Sequence, residues 1–277
     1  MPFPDLAIRQ LLVIRHGNDP KVVAKSENVD FELEEAAVRA SVKFGPRPAG
    51  VTLPSAVFAL EINRMRVAVV QVADRPDGTP NPPLAFRFLV FSRDIYTHLG
   101  DPFAISDRLP ANFDARGSLE DLAWADEPPP PRRVEVLRDI LKTGDSQFLL
   151  GASQALLDGA RLAVVRPQAD STFIRDLWQL LPDRVRCDLW PASYAFGNEL
   201  NFHAAALPAP APGFLTDEQC KDYPEGRYEL AMQVAIESGD QAEVTRLLNR
   251  QSSTAVLKLA AAMVLFAFLV AAILKFL

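Results

Sequence analysis

The sequence predicts a mixed α+β (α/β) protein. It has an antiparallel, strand-rich N-terminal half, a smaller α/β module, C-terminal helices and a single transmembrane helix. Three observations predict this. Short runs rich in Val and Phe crowd residues 10–92, separated by Gly- and Pro-containing turns. Helix-like and strand-like segments alternate over 134–207. Sixteen consecutive apolar residues run from Leu259 to Leu274.

The elements follow in order. QLLVIRH (10–16) and KVVAK (21–25) read as strands around the turn Gly17-Asn18-Asp19-Pro20. FELEEAAVRASVK (31–43) reads as a helix, with Asp30 as N-cap and Glu32, Glu34 and Glu35 at the positive end of the helix dipole. Gly45-Pro46-Arg47-Pro48 stops it. SAVFALEIN (55–63) and RVAVVQVAD (66–74) read as a hairpin, and LAFRFLVFS (84–92) as a third strong strand after the Pro-rich loop 75–83. Two short helical turns follow, the second starting near Asp101-Pro102.

Residues 111–133 end in DEPPPPRR, a polyproline-type connector. They are expected to divide an N-terminal subdomain (1–110) from an α/β module (134–207). In that module 134–144, the stretch around 147–159, and 171–182 read as helices. Phe173, Ile174, Leu177, Leu180 and Leu181 fall at helical spacing in the last of them. RLAVV (161–165), RVRCDLW (184–190) and NFHAAAL (201–207) read as strands. Residues 208–254 read as a linker and a helical stalk broken at Ser238-Gly239-Asp240.

Composition excludes several classes. Of 277 residues 49% are hydrophobic and only two are Cys, so a wholly disordered chain and a disulfide scaffold are ruled out. There are 29 Lys+Arg against 35 Asp+Glu, a net charge of −6, which argues against a nucleic-acid partner. Cys187 and Cys220 have neither CxxC nor Cys/His zinc spacing. No metal and no cofactor is expected.

The apolar tail, taken as residues 255–277, would span roughly 34 Å as a helix, enough for a hydrocarbon core of about 30 Å. Leu259, Val264, Phe266, Phe268 and Ile273 are its lipid-facing candidates, and Lys258 and Lys275 sit where their stems can reach the headgroups. The start, MPFPDLAIRQ, lacks a signal-peptide pattern. The expectation is a tail-anchored, single-pass membrane protein with a cytoplasmic N-terminal domain, its basic residues Arg246, Arg250 and Lys258 on the inner side. The lipid bilayer is thus an expected partner. A buried C-terminal core helix is the alternative.

Two catalytic patterns stand out. Arg15-His16-Gly17, after the apolar run Leu11 to Ile14, resembles the signature of the histidine phosphatase superfamily. That resemblance implies phosphoryl transfer to His16, with Arg15 neutralising phosphate. The hydroxyl residue of the family pattern is missing after Asn18-Asp19, and neither His98 nor His203 stands in the setting of the family's second His. Cys187 and His203 have the residue types of a thiol nucleophile and base, but Cys187 falls mid-strand between Arg186 and Asp188, where a small buried or half-buried Cys is the commoner explanation. Ser153, Ser171 and Ser193 lie outside any GxSxG elbow. Asp101, Asp107, Asp114 and Asp121 read as caps of short helices.

Trp178, Trp190, Tyr194 and Phe196 form an aromatic concentration that reads either as a recognition surface or as core. Three stretches, Gly17 to Ser26, FRFLVFSRDIYTHLGDPFAISDRLPANF (86–113) and LWQLLPDRVRCDLWPASYAFG (177–197), resemble the N-terminal region of the bacterial GTPase-associated protein family. The resemblance implies an adaptor in a multi-gene signalling or conflict system, with a protein partner, a GTPase among the candidates. It carries no catalytic residues. The expected function is a non-enzymatic, membrane-presented adaptor, in the bacterial inner membrane. Its expected interaction residues are Arg93, Asp94, Tyr96, Asp101, Phe103 and Asp107 together with Trp190, Tyr194 and Phe196. A tethered phosphate hydrolase using His16, or a membrane-permeabilising effector, is the alternative.

Overall fold

The strand pairs expected around short turns grow into one continuous mixed sheet. The structure, a computed structural model, describes residues 7–79, 81–124, 130–169 and 172–250. The first half contains β1 (Ala7–His16), β2 (Asp19–Ser26), α1 (Phe31–Lys43), β3 (Ala56–Asn63), β4 (Arg66–Asp74), β5 (Leu84–Ser92), α2 (Arg93–Leu99) and α3 (Pro102–Arg108). Two short strands follow, β6 (Gly117–Leu119) and β7 (Leu122–Ala123). The second half contains α4 (Val134–Thr143), α5 (Ser146–Leu157), β8 (Leu162–Val165), α6 (Thr172–Leu180), α7 (Asp183–Asp188), β9 (Pro191–Ala192) and β10 (Ala204–Leu207). It ends with α8 (Asp217–Lys221), α9 (Arg227–Ser238) and α10 (Gln241–Leu248). The strand order is β6-β2-β1-β5-β4-β3-β9-β10-β8, with β7 on β1.

Within the run β2-β1-β5-β4-β3 every pairing is antiparallel, β1–β2 and β3–β4 as the expected hairpins, while β6 joins β2 in parallel. His16 pairs with Asp19, and Gly17 turns the chain at φ +59. Alternation along β1 feeds two layers. Leu11 and Val13 enter the main core, while Leu12 and Ile14 pack with Ala85, Phe113 and Leu119 on the other face.

Helix α1 covers the first face. The Asp30 carboxylate accepts from Leu33 N at 2.9 Å, and Leu33, Ala37 and Ala40 form its buried stripe. At its end Phe44 sits 5.5, 5.4 and 5.2 Å from the rings of Phe58, Phe86 and Phe196. Each such buried ring contributes on the order of 2–3 kcal/mol from burial. Gly45 makes the approach possible: at φ +101, a Cβ there would lie 2.9 Å from Gly197 N.

The second face is covered by α3 and the segment 109–120, held through a buried polar group. The Arg87 guanidinium donates to Gln10 Oε1 at 2.6 Å, Gln71 Oε1 at 3.1 Å, Leu109 O at 2.9 Å and Pro110 O at 2.7 Å. Gln71 Nε2 donates to Ser106 Oγ and Leu109 O, and Gln10 Nε2 to Glu120 O. Burial lowers the Arg87 pKa from its ordinary value, and these four partners are neutral oxygens.

Several expectations are corrected. Residues 125–129 of the expected connector lie outside the described residues, and the strands before and after it share one sheet: β9 pairs with β3 at Phe58↔Ala192, and Ser193 Oγ accepts from Val57 N at 2.9 Å. Strands β9, β10 and β8 are parallel to one another and extend the antiparallel part. One buried cluster runs from Ile8 to Leu248. RVRCDLW (184–190) is not a strand. Val185, Cys187 and Leu189 alternate in the sequence with charged residues, which imitates a strand, but Arg186 is buried with them and local bonds favour a helical turn. Asp183 pairs with Arg186 three residues on at 2.5 Å, and the Cys187 thiol donates to Asp183 O. The described part of the expected stalk, 208–250, packs into the fold. Cys220, Tyr228, Met232, Ile236, Val244 and Leu247 are buried. Gly151 lets α8 approach α5 so closely that a Cβ would lie 2.0 Å from Cys220 O.

The membrane expectation is also corrected. No helix among the described residues is long and apolar enough to cross a membrane. The 13 residues of α1 cover only about 20 Å. The expected transmembrane helix at 255–277, with Lys258, Leu259, Val264, Phe266, Phe268, Ile273 and Lys275, lies outside the described residues. The fold is therefore mixed α/β with no membrane span among the described residues. The tail-anchored, single-pass and permeabilising readings are not carried forward.

Candidate functional site

Arg15 and His16 are not brought together. Successive residues of a strand face opposite ways, so Arg15 is buried toward α1 and His16 is exposed. The Arg15 guanidinium donates to Ser41 O, to Val42 O at 3.3 Å and to Gly45 O at 2.8 Å. These carbonyls end α1, where a cation satisfies orphan acceptors and the negative end of the helix dipole. Arg15 is a helix cap here, with Nη1 and Nη2 both donating to main-chain carbonyls rather than facing a phosphate beside His16.

Cys187 and His203 also lie apart in role. The Cys187 thiol donates to Thr97 O at 3.1 Å and Asp183 O at 3.2 Å, and burial pushes its pKa up to about 11. Burial also raises Cys220 to about 12. A thiol raised this far holds little thiolate near neutral pH, and the thiolate is the nucleophile. Both cysteines are therefore expected to resist a thiol-reactive disulfide reagent at about pH 8 and to react promptly in denaturant. Prompt reaction of the native protein would contradict this placement.

The two expected interaction segments meet, but mostly inside the protein. Tyr96, Phe103, Tyr194 and Phe196 are buried. Tyr96 lies 6.1 Å from the Trp190 ring, and Phe103 lies 6.2 Å from Trp178. Asp101 is buried as well. Its carboxylate caps α3 at Phe103 N (3.0 Å) and meets Arg186 Nη1 and Gln179 Nε2, both at 3.1 Å. Arg186 also pairs with Asp183, which takes Arg132 at 2.7 Å. These charges line a cleft of about 480 Å³ between α2, α6 and α10, and they balance one another. Asp107 pairs with Arg175 at the surface, at 2.6 Å.

Besides Asp107, Arg93, Asp94 and Trp190 reach solvent, and these three join a patch that sequence reasoning missed. Phe31 is 80% exposed and Met65 72%, the most exposed large hydrophobics described. Asp30 Oδ2 holds Arg66 Nη1 at 2.7 Å, and Asn63 Nδ2 donates to Glu32 Oε1 at 3.2 Å. These bonds tie the start of α1 to the β3–β4 turn. Met65 O then accepts from Arg93 N at 2.8 Å, Arg93 pairs with Glu61 at 2.6 Å, and its guanidinium lies 5.6 Å from the Trp190 ring centroid. The signal was present in the sequence. Phe31 is out of phase with the stripe Leu33-Ala37-Ala40, and Met65 is an apolar residue in a polar turn.

Behind Trp190 lies a second cleft, of about 600 Å³, between α1, the end of β3 and the loop before β10. His203 Nδ1 accepts from Trp190 N at 3.0 Å, so the neutral ring carries its proton on Nε2. Burial, and then Arg161, lowers the His203 pKa and favours that neutral ring. Arg161 Nη2 donates to Phe202 O at 3.0 Å, while its buried Nε has no partner among the described residues. Among the described residues no group of three or more His, Cys, Asp or Glu could hold a metal ion.

The chain matches no protein-family model, no curated protein and no solved structure. Neither the GTPase-associated nor the histidine phosphatase resemblance is thereby shown. The fold defines a mixed α/β class and no more.

Proposed function

We propose that this chain is a non-enzymatic protein-binding module, an adaptor. Its contact surface is the patch of Phe31, Met65, Arg93, Asp94 and Trp190. The observation that carries the reading is the joint exposure of Phe31 and Met65 on elements fixed to one another by an ion pair and hydrogen bonds. Aromatic residues, Met and Arg are the types enriched at protein interfaces. Large apolar side chains exposed on a rigid frame lose little entropy on binding and expel water when covered. The quenched thiols and the capped Arg15 favour binding over catalysis. The partner is a folded protein, and a GTPase is the one the family resemblance implies.

Purification of the full-length protein from its native host, beside the double variant Phe31→Glu/Met65→Glu, tests this. The native chain is expected to bring a partner in stoichiometric amount. The variant, altered only at exposed positions, is expected to keep its thermal midpoint and to lose the partner at least about tenfold. Equal recovery of the partner by both, or recovery of the native chain alone at normal abundance, would overturn the reading.

A further inference from the structure

The cleft behind Trp190 has the chemistry of a ligand site. Its floor holds two donors fixed by backbone contacts. The His203 ring is set by Trp190 N, and Arg161 is set by Phe202 O and by Phe214, whose ring centroid lies 4.7 Å from its guanidinium carbon. Arg161 Nε is buried without a partner among the described residues, and an orphaned buried donor is costly unless something accepts from it. Asn201, at the same floor, is the one described non-glycine residue in the left-handed region, at φ +58. Such conformations concentrate at binding sites.

The walls divide by character. Leu60, Leu200 and Trp190 supply apolar surface, and Lys43 reaches in from α1. Of the other charges, Arg39 pairs with Glu35 at 2.9 Å and Glu61 with Arg93, leaving Glu199 as the opposing carboxylate. Two cations and an imidazole N–H against one exposed acid leave an excess of donors. Planar guanidinium and N–H donors match the oxygens of carboxylates and phosphates.

We propose that this cleft binds a small organic oxyanion, a carboxylate or phosphate ester on an apolar body. Arg161 and His203 donate to its oxygens, Lys43 adds charge, and Trp190 and Leu60 pack against the body. A volume of about 600 Å³ suits a ligand of that size. The inference rests on the lining of the cleft, which shares Trp190 alone with the partner surface.

Titration of the full chain with benzoate, phenyl phosphate and inorganic phosphate tests it, followed by the Trp190 indole N–H resonance. The resonance is assigned with Trp190→Phe. At least one aromatic probe is expected to give a saturable shift, and the tighter of the two identifies the headgroup. Inorganic phosphate, lacking the body, is expected to bind at least about tenfold more weakly. Lys43→Gln, at an exposed helical position, is expected to weaken the better probe about threefold, and Arg161→Gln at least about tenfold. Absence of saturation by any probe up to about 10 mM would overturn the proposal. So would equal affinity for inorganic phosphate and the aromatic probes, or affinity unchanged in Lys43→Gln.

Discussion

Asp101→Ala is expected to lower the unfolding free energy by about 3–5 kcal/mol, read as a lower urea midpoint at unchanged slope. The side chains of Asp101 and Arg186 are 8% and 5% exposed, so the charge left behind cannot be rehydrated cheaply. The same substitution removes the acceptor that caps α3 at Phe103 N and Ala104 N. Asp183 still faces Arg186 at 2.5 Å, but it is half exposed and shared with Arg132. Asp101→Asn separates the two roles. It keeps a capping oxygen and loses the charge, so it is expected to cost less than the alanine variant. Replacing the pair together, as Asp101→Leu/Arg186→Met, is expected to recover much of the loss, because no buried charge is then left unpaired. A double variant no better than the alanine variant would show that the pair is not what the cluster depends on.

The second large effect belongs to Arg87→Ala, at about 3 kcal/mol or more. Its guanidinium satisfies Gln10 Oε1, Gln71 Oε1, Leu109 O and Pro110 O inside the fold. Removing it takes a donor from all four acceptors, of which Leu109 O keeps Gln71 Nε2, and each buried acceptor left unsatisfied costs roughly 1–3 kcal/mol before relaxation. Loss of a buried cation offsets part of this. The location of the damage is more diagnostic than its size. Hydrogen exchange is expected to accelerate first in 106–120, the segment clamped by this network, while β4 and β5 stay protected. Uniform acceleration across the sheet would mean that Arg87 supports the strands themselves.

The N-terminal half was legible because local chemistry and tertiary demand agree there. Asp30 caps a helix at 31–43, Gly17 turns a hairpin, and the runs 84–92 and 66–74 are strands on both counts. The second half was less so. Val185, Cys187 and Leu189 carry a period-two pattern, yet the i,i+3 pair of Asp183 and Arg186 and the thiol bond to Asp183 O hold a helical turn. A run of prolines reads as a boundary, but pairing of Phe58 with Ala192 across 134 residues of chain is invisible to any local window. The aromatics at 194 and 196 illustrate the limit for sites. Residue type alone admits either a surface or a core, and burial against Phe44 decides for core. Phe31 and Met65 were readable as apolar residues out of phase, but their proximity depends on Asp30–Arg66 and Glu32–Asn63 contacts that only the fold supplies.

The central claim is that a protein partner docks on the end of the sheet where α1, the β3–β4 turn and α2 meet. The most direct measurement is hydrogen exchange on the full-length protein, free and with its co-purified partner. Protection is predicted over 30–32, 63–66 and 93–94, with little change at the buried cluster around Asp101 and Arg186. Protection confined to other surfaces, with these three segments unchanged, would contradict the account.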